Sequence, residues 1–174
     1  KLINYKNKIF IISHFGRPKG RYIKKYSLKF LCSYLEKEFS LKKIHFLNNF
    51  DTDKISKMQN FIEYGEVCLF ENIRFHEGEE KNDLNFSKYL STCFDIYVND
   101  AFSASHRKHS SIVGITKFLP SIAGDSLLTE IKNLDLFLNN TIKPNTAIIG
   151  GSKISTKIDV VENLIQHFDN IIIG

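Results

Sequence analysis

A chain of 174 residues, 43% hydrophobic and 25% charged, holds enough apolar material for one ordinary domain with a core, or for one domain and part of a second. It carries no low-complexity tract or internal repeat, which argues against disorder, and its longest apolar runs, such as IFII at 9–12, fall far below the roughly 20 residues a membrane-crossing helix needs. The net charge of +5 comes from 20 Lys against only four Arg, amid much Ile, Asn and Phe, so it reads as a compositional habit and weak evidence for a nucleic-acid partner.

The start, KLINYKNKIF, has no sustained apolar stretch or small-residue cleavage site, so no signal peptide is read there, and the missing initiator Met points to a fragment. Residues 8–13 (KIFIIS) are β-rich and apolar, and a Gly/Pro loop follows. The spacing of Leu28, Leu31, Leu35 and Phe39 predicts a helix over 27–39. A second strand is expected at 43–47 (KIHFL) and a helix over 51–64 on Ile55, Met58 and Ile62, stopped by Gly65. Then come a strand at 66–70 (EVCLF), the loop ENIRFHEGEEKND, a helix over 83–94, and a strand at 95–98 (DIYV) that runs into NDAFSASHRKHSS. Short apolar strands alternating with helices predict an α/β fold, a doubly wound, Rossmann-like parallel sheet in three layers.

From Pro120 the pattern predicts a long helix bearing Leu127, Leu128, Ile131, Leu134 and Leu138, closed by Pro144. A strand at 146–149 (TAII), the loop GGSK, a helix to about Phe168 and a strand at 171–173 complete the chain. The expected organisation is a domain over 1–119, a connecting helix over 120–144, and the beginning of a second α/β domain over 145–174, too small to bury its own sheet. Cys32, Cys68 and Cys93 are odd in number, far apart and set in apolar patterns, so buried thiols in a reducing cytosol are expected rather than disulfides or a zinc site.

In a parallel sheet the loops after the strands gather along one rim, where α/β proteins bind ligands. The loop after the first strand holds His14, Arg17, Lys19 and Arg21; that after EVCLF holds Arg74 and His76; that after DIYV holds His106, Arg107, Lys108 and His109; that after TAII holds Lys153 and Lys157. All four Arg and four of the six His fall in these loops, and a chain that otherwise uses Lys places Arg where a rigid two-pronged donor matters. The rim therefore predicts a polyanionic ligand. Taken singly, a solvated turn explains residues 14–21 as well as a site does, and Arg74 and His76 could pair with Glu77, Glu79 and Glu80 at the surface; residues 99–111 carry more His, Arg and hydroxyl than a turn needs. Phe15, Phe75 and Phe102 could stack on bases but more often such residues anchor loops, and His45 and His167 are given no role. GGSK offers a glycine approach to phosphate at a helix N-terminus without matching the P-loop pattern.

Taken in order, SHFGRPKG, LFENIRFHEGEEKND, YVNDAFSASHRKHSS and AIIGGSKISTKIDVVENLI resemble the phosphoglycerate kinase family over almost the whole chain. The resemblance implies a phosphotransferase with a carboxyl group as acceptor, which exchanges a phosphoryl group between 1,3-bisphosphoglycerate and ADP in glycolysis and yields 3-phosphoglycerate and ATP. It implies that His14, Arg17, Arg74 and Arg107 bind the phosphoglycerate, with His106 and His109 in support. It assigns catalysis to Lys157, Lys153 and Arg17, and the nucleotide phosphates to Gly150, Gly151, Lys153 and Lys157. Fixed positive charge would then lower the barrier to in-line transfer, and domain closure would exclude water. An opening strand with an Asp, an Asn and an Arg, the adenine pocket, a Gly-rich phosphate loop and the acidic Mg²⁺ ligand are expected outside residues 1–174. A cytoplasmic monomer, with no nucleic-acid or membrane partner, is the matching expectation, and these residues alone are expected to turn over poorly or not at all. The alternatives are a non-catalytic piece of a split or decaying kinase gene, or a basic nucleic-acid-binding domain.

Overall fold

The structure, a computed structural model, describes residues 2–5, 7–41, 43–139, 142–151 and 158–174. Contacts divide the chain into two compact units, Lys1–Ala123 and Gly124–Gly174. The first unit runs β1 (Ile9–Ile11), α1 (Leu31–Glu38), β2 (Ile44–Leu47), α2 (Thr52–Phe61), β3 (Val67–Phe70), α3 (Glu77–Lys81), α4 (Leu84–Ser91), β4 (Tyr97–Asn99) and β5 (Ser121–Ala123). The second runs α5 (Asp125–Asn139), β6 (Thr146–Ile149), α6 (Ile158–Ile165) and β7 (Asn170–Ile173).

In the first unit β3 is central, with β1 and β2 parallel on either side, Phe10 and His45 both facing Cys68 across the ladder. All four residues of β3 are buried, which is why VCLF is a continuous apolar run and not an alternating one. Its side chains alternate faces. Cys68 and Phe70 join Ile55 of α2 and Phe86 and Leu90 of α4, with Phe50 stacked on Phe70 at 5.2 Å between ring centres. Val67 and Leu69 join Leu28 and Ile44, with Leu31, Cys32 and Leu35 packed on from the α1 side. Helices thus cover both faces of a parallel sheet, the three-layer α/β arrangement expected from the sequence. The sheet is divided, however: β4 and β5 pair with each other, parallel, as a separate ladder.

Several boundaries move, each for a local reason. The helix expected over 27–39 starts at Leu31, because the Leu28 amide and the Ser27 hydroxyl are both taken by the Glu71 carboxylate, at 2.8 and 2.7 Å. The Asp51 side chain caps α2 by accepting from the Asp53 and Lys54 amides, and that helix ends at Phe61, where Ile62 turns extended to bury its side chain. Asp83 caps α4 in the same way, through the Phe86 amide. The strand expected at 95–98 sits at Tyr97–Asn99, where the Tyr97 amide donates to the Pro120 carbonyl. That pairing also explains the largest departure. Residues 121–123 are drawn into β5 beside β4, so the helix expected from Pro120 begins only at Asp125. The Glu-rich stretch read as loop folds into the short helix α3.

In the second unit β6 and β7 form a two-stranded parallel pair, tied at its start by Asp169, whose carboxylate accepts from Lys143 Nζ at 2.8 Å and the Asn145 amide at 3.0 Å. No residue of α6 is buried, and Ile148 and Ile172 are 76% and 53% exposed. Along α5, Leu127 is buried while Leu128, Ile131 and Leu134 are exposed, so the apolar stripe read from the sequence is mostly uncovered among the described residues.

Candidate functional site

The rim is built where β1 and β3 end. The loop after β1 is laced to the turn after β3, Ile73–Phe75: the Ile73 amide donates to the Ser13 carbonyl and the Gly20 amide to the Arg74 carbonyl, each at 3.1 Å. Gly16 sits at φ 65, and a Cβ there would run into the Tyr26 ring, so only glycine allows this approach. Phe15 meets Tyr26 edge-on at 5.8 Å and Phe30 at 6.1 Å, an anchor for the loop rather than a platform for bases. Tyr22 and Phe75 form a similar pair at 5.1 Å.

Two residues not singled out from the motifs hold this loop in place. Asn72, fully buried, donates through Nδ2 to the Phe15 and Tyr26 carbonyls at 2.7 and 2.9 Å, while its Oδ1 accepts from the Arg74 amide at 3.1 Å. Glu71, also buried, accepts from Ser27, Leu28 and Asn72. Both follow β3 directly, and only the position of ENIR at a strand end hinted at them.

Arg74 is 2% exposed. Its Nη1 donates to the Gly16 carbonyl at 2.7 Å, and Nε lies 3.5 Å from Glu80 Oε1. Nε and Nη2 of Arg74, and Nε of Arg107, are buried without a hydrogen-bond acceptor among the described residues. Buried guanidinium donors are normally satisfied, so these point to an acceptor supplied by a ligand. Burial lowers the Arg74 pKa, with the Arg107 and Arg17 charges adding to it against Glu80 and Glu79. His14 is exposed at the surface, yet its pKa falls to about 4, first through desolvation by the protein beneath it and then through Arg74, Arg107 and His109. Mutual electrostatic influence thus links His14, Arg17, Arg74, Arg107 and His109, from three of the four loops named from the sequence.

The third loop, after β4, is fastened from below by α3. Ser110 Oγ donates to the Gly78 carbonyl at 2.9 Å and the Asp83 carbonyl at 3.2 Å. The Ser111 amide and hydroxyl donate to Glu79 at 2.9 and 2.6 Å, and His109 Nδ1 lies 3.6 Å from Glu79 Oε1. Of the two residues weighed from the sequence as surface ion-pair partners, the exposed Glu80 does pair with Arg74, whereas Glu79 is buried and fastens the loop after β4. Residues Ser110–Gly114 form a π-helical turn that leaves no room at Gly114, where a Cβ would overlap Ser87 Oγ.

Of the remaining candidates, Arg21 is exposed, and His106, also exposed, adds its charge to those around His109. His76 stacks on Phe86 at 3.6 Å and accepts from the Gly78 amide, a capping and packing role. His45 pairs with Glu66 at 3.2 Å, and His167 Nδ1 contacts the Asn163 carbonyl. Gly150 and Gly151 follow β6, Gly151 at φ 129, and Lys153 and Lys157 fall outside the described residues. The three cysteines are free thiols; burial pushes Cys68 up to about 12. Among the described residues no group of three or more His, Cys, Asp or Glu side chains could hold a metal ion.

A three-layer α/β unit with the buried Arg74 guanidinium and Arg107 in the loops that follow its parallel strands has the architecture in which α/β proteins carry ligand sites at strand ends. Comparison with known proteins makes this specific. A phosphoglycerate kinase family model matches residues 1–174. The chain is 47% identical to the phosphoglycerate kinase of Wolbachia sp. subsp. Drosophila simulans (strain wRi), covering 99% of this chain and 43% of that protein. It is 44% identical to that of Rhizobium meliloti (strain 1021), over 96% and 42%. Its fold matches the phosphoglycerate kinase structures from Coxiella burnetii, with a TM-score of 0.82, 34% identity and coverage of 99% and 43%, and from Pyrococcus horikoshii OT3, with 0.87, 28%, 99% and 44%. The chain belongs to the phosphoglycerate kinase family, and it spans less than half the length of the relatives it matches.

Proposed function

We propose that this chain holds the acid-binding domain, and the beginning of the nucleotide-binding domain, of a cytoplasmic, monomeric kinase that moves a phosphoryl group between 1,3-bisphosphoglycerate and ADP, giving 3-phosphoglycerate and ATP. The observation that carries this reading is the Arg74 guanidinium, buried with Nη2 unaccepted and Nε no nearer than 3.5 Å to Glu80, beside Arg107 Nε and His14. In this reading His14, Arg17, Arg74 and Arg107 grip the acid's carboxylate and phosphate, the Arg forks fixing its orientation. Residues 1–119 serve the acid, 120–144 connect, and 145–174 begin the nucleotide-binding domain, where Gly150, Gly151, Lys153 and Lys157 meet the nucleotide phosphates. Arg17, Lys153 and Lys157 offset charge on the transferring group. Mg²⁺ belongs with ligands outside this chain, and residues 1–174 alone sustain little or no turnover.

The test is a two-dimensional NMR titration with 3-phosphoglycerate, with sulfate and a short DNA duplex as controls. Shifts centred on residues 14–17, 74 and 107, larger for the acid than for sulfate, are expected. A response to DNA alone, falling steeply with salt, overturns the assignment.

A further inference from the structure

Two carboxylates lie almost fully buried beneath the rim, Glu71 and Glu79. Glu71 is occupied by two backbone amides and one hydroxyl. Glu79, 2% exposed, combines bonds to the Ser111 amide and hydroxyl with a position 3.6 Å from His109 Nδ1. Burying a carboxylate is costly, and its pKa is raised by that burial, so a loop fastener alone could be had more cheaply from a neutral side chain.

We propose that Glu79 is a positioning residue for the acid ligand, acting through His109: its carboxylate holds residues 109–111 and the Nδ1 side of the ring, leaving Nε2 as the nitrogen offered to the bound anion. The inference rests on the function proposed above. Among the described residues no hydrogen bond engages Nε2, and Nδ1 meets Glu79 at ion-pair distance, 3.6 Å. The charged groups facing His109 are Glu79 and Glu80 from α3, Arg74 from the turn after β3, Arg107 and His106 from its own loop, and His14 from the loop after β1. Without ligand, desolvation and the Arg74, Arg107 and His106 charges hold the His109 pKa down, against Glu80. A neutral ring with Nδ1–H directed at Glu79 presents only a lone pair at Nε2. An anion that neutralises Arg74 and Arg107 removes this opposition. The ring then takes one proton from solvent at Nε2, and the new N–H donates to the acid while Glu79 stabilises the imidazolium from the other side.

The experiment compares the protein with its Glu79→Gln and Ser111→Ala variants, using ¹⁵N-labelled histidine to read the protonation of each ring nitrogen during titration with 3-phosphoglycerate. In the unsubstituted protein His109 is expected to carry its proton on Nδ1 when free and on both nitrogens when the acid is bound. Glu79→Gln keeps an acceptor for the Ser111 amide but removes the charge. His109 should then stay neutral on acid binding at pH 6.5, with affinity about tenfold lower, the equivalent of one lost charge partner. Ser111→Ala keeps the charge and should leave the His109 response intact. Equal protonation of His109 in Glu79→Gln, or an equal loss of affinity in Ser111→Ala, overturns the proposal. An unsubstituted protein that ignores 3-phosphoglycerate refutes the proposed function instead. The free-state Nδ1 proton then decides for Glu79: its loss in Glu79→Gln supports the positioning, and its persistence there refutes it.

Discussion

Replacing Asn72 with Ala should cost the first unit both stability and its anion site. The side chain makes three hydrogen bonds, at 2.7 Å to the Phe15 carbonyl, 2.9 Å to the Tyr26 carbonyl and 3.1 Å from the Arg74 amide, and is wholly buried. At about 1 kcal/mol net for each, the loss is about 3 kcal/mol, a large share of the roughly 5–15 kcal/mol that holds an ordinary domain folded. With a urea slope near 2 kcal/mol/M, the unfolding midpoint should fall by about 1.5 M. The same three bonds set the path of the loop carrying His14 and Arg17 and the backbone of Arg74, so sulfate and 3-phosphoglycerate should bind more weakly under conditions where the variant is still folded. Urea unfolding followed by circular dichroism reads the first quantity, and calorimetric titration the second. A midpoint within about 0.3 M of the unsubstituted protein would falsify the stability argument. A destabilised variant that binds both anions unchanged would show that the loop is held by other means.

Arg74→Lys keeps a charge but loses the fork and its contact with the Gly16 carbonyl, so affinity for 3-phosphoglycerate should drop at least about tenfold, the scale of one charged hydrogen bond, by calorimetry; unchanged affinity would deny the fork a role. Gly114→Ala introduces no backbone strain at φ −62 but overlaps Ser87 Oγ and crowds Ser87 Cβ and Asn82 Oδ1, each at 2.9 Å, and should destabilise by about 1–3 kcal/mol in urea unfolding; a variant as stable as the unsubstituted protein would refute the overlap. His14 titrates near 4 in the folded protein against 6.5 unfolded, so the unfolded chain binds the extra proton between these values. The stability tied to neutral His14 is therefore complete above pH 6.5 and lost as the pH falls through about 4, and His14→Gln should flatten that slope; an NMR titration midpoint for the His14 ring near 6.5 would refute this.

Strands whose burial is two-sided announce themselves, and VCLF is the clearest: four apolar residues in a row are what a central parallel strand requires. The meeting of the Arg17 and Arg74 loops was equally legible, because β1 and β3 are parallel neighbours whose ends face the same side. What stayed hidden depends on partners distant in sequence. Nothing local to Glu71 says that it will take the Leu28 amide, 43 residues away, and shorten α1. Residues 121–123 lie beside a leucine-rich helical pattern, and only the ladder to Tyr97–Asn99 makes them a strand. Glu79 looked like surface charge because EGEE is hydrophilic; its burial follows from Ser111, 32 positions on. Lys153 and Lys157 remain readings of the motif.

The uncovered isoleucines of the second unit make sulfate a double-edged reagent for this chain. On the function proposed above, sulfate at the rim is a small dianion competing for the Arg74 guanidinium, and its effect saturates. On Ile148 of β6, Ile172 of β7 and the exposed Ile158, Val160 and Ile165 of α6 it acts as a salting-out agent, excluded from the surface and driving apolar side chains together without saturation. A sulfate titration therefore superimposes a binding isotherm from one unit on a concentration-dependent association from the other, separable because only the second grows with protein concentration.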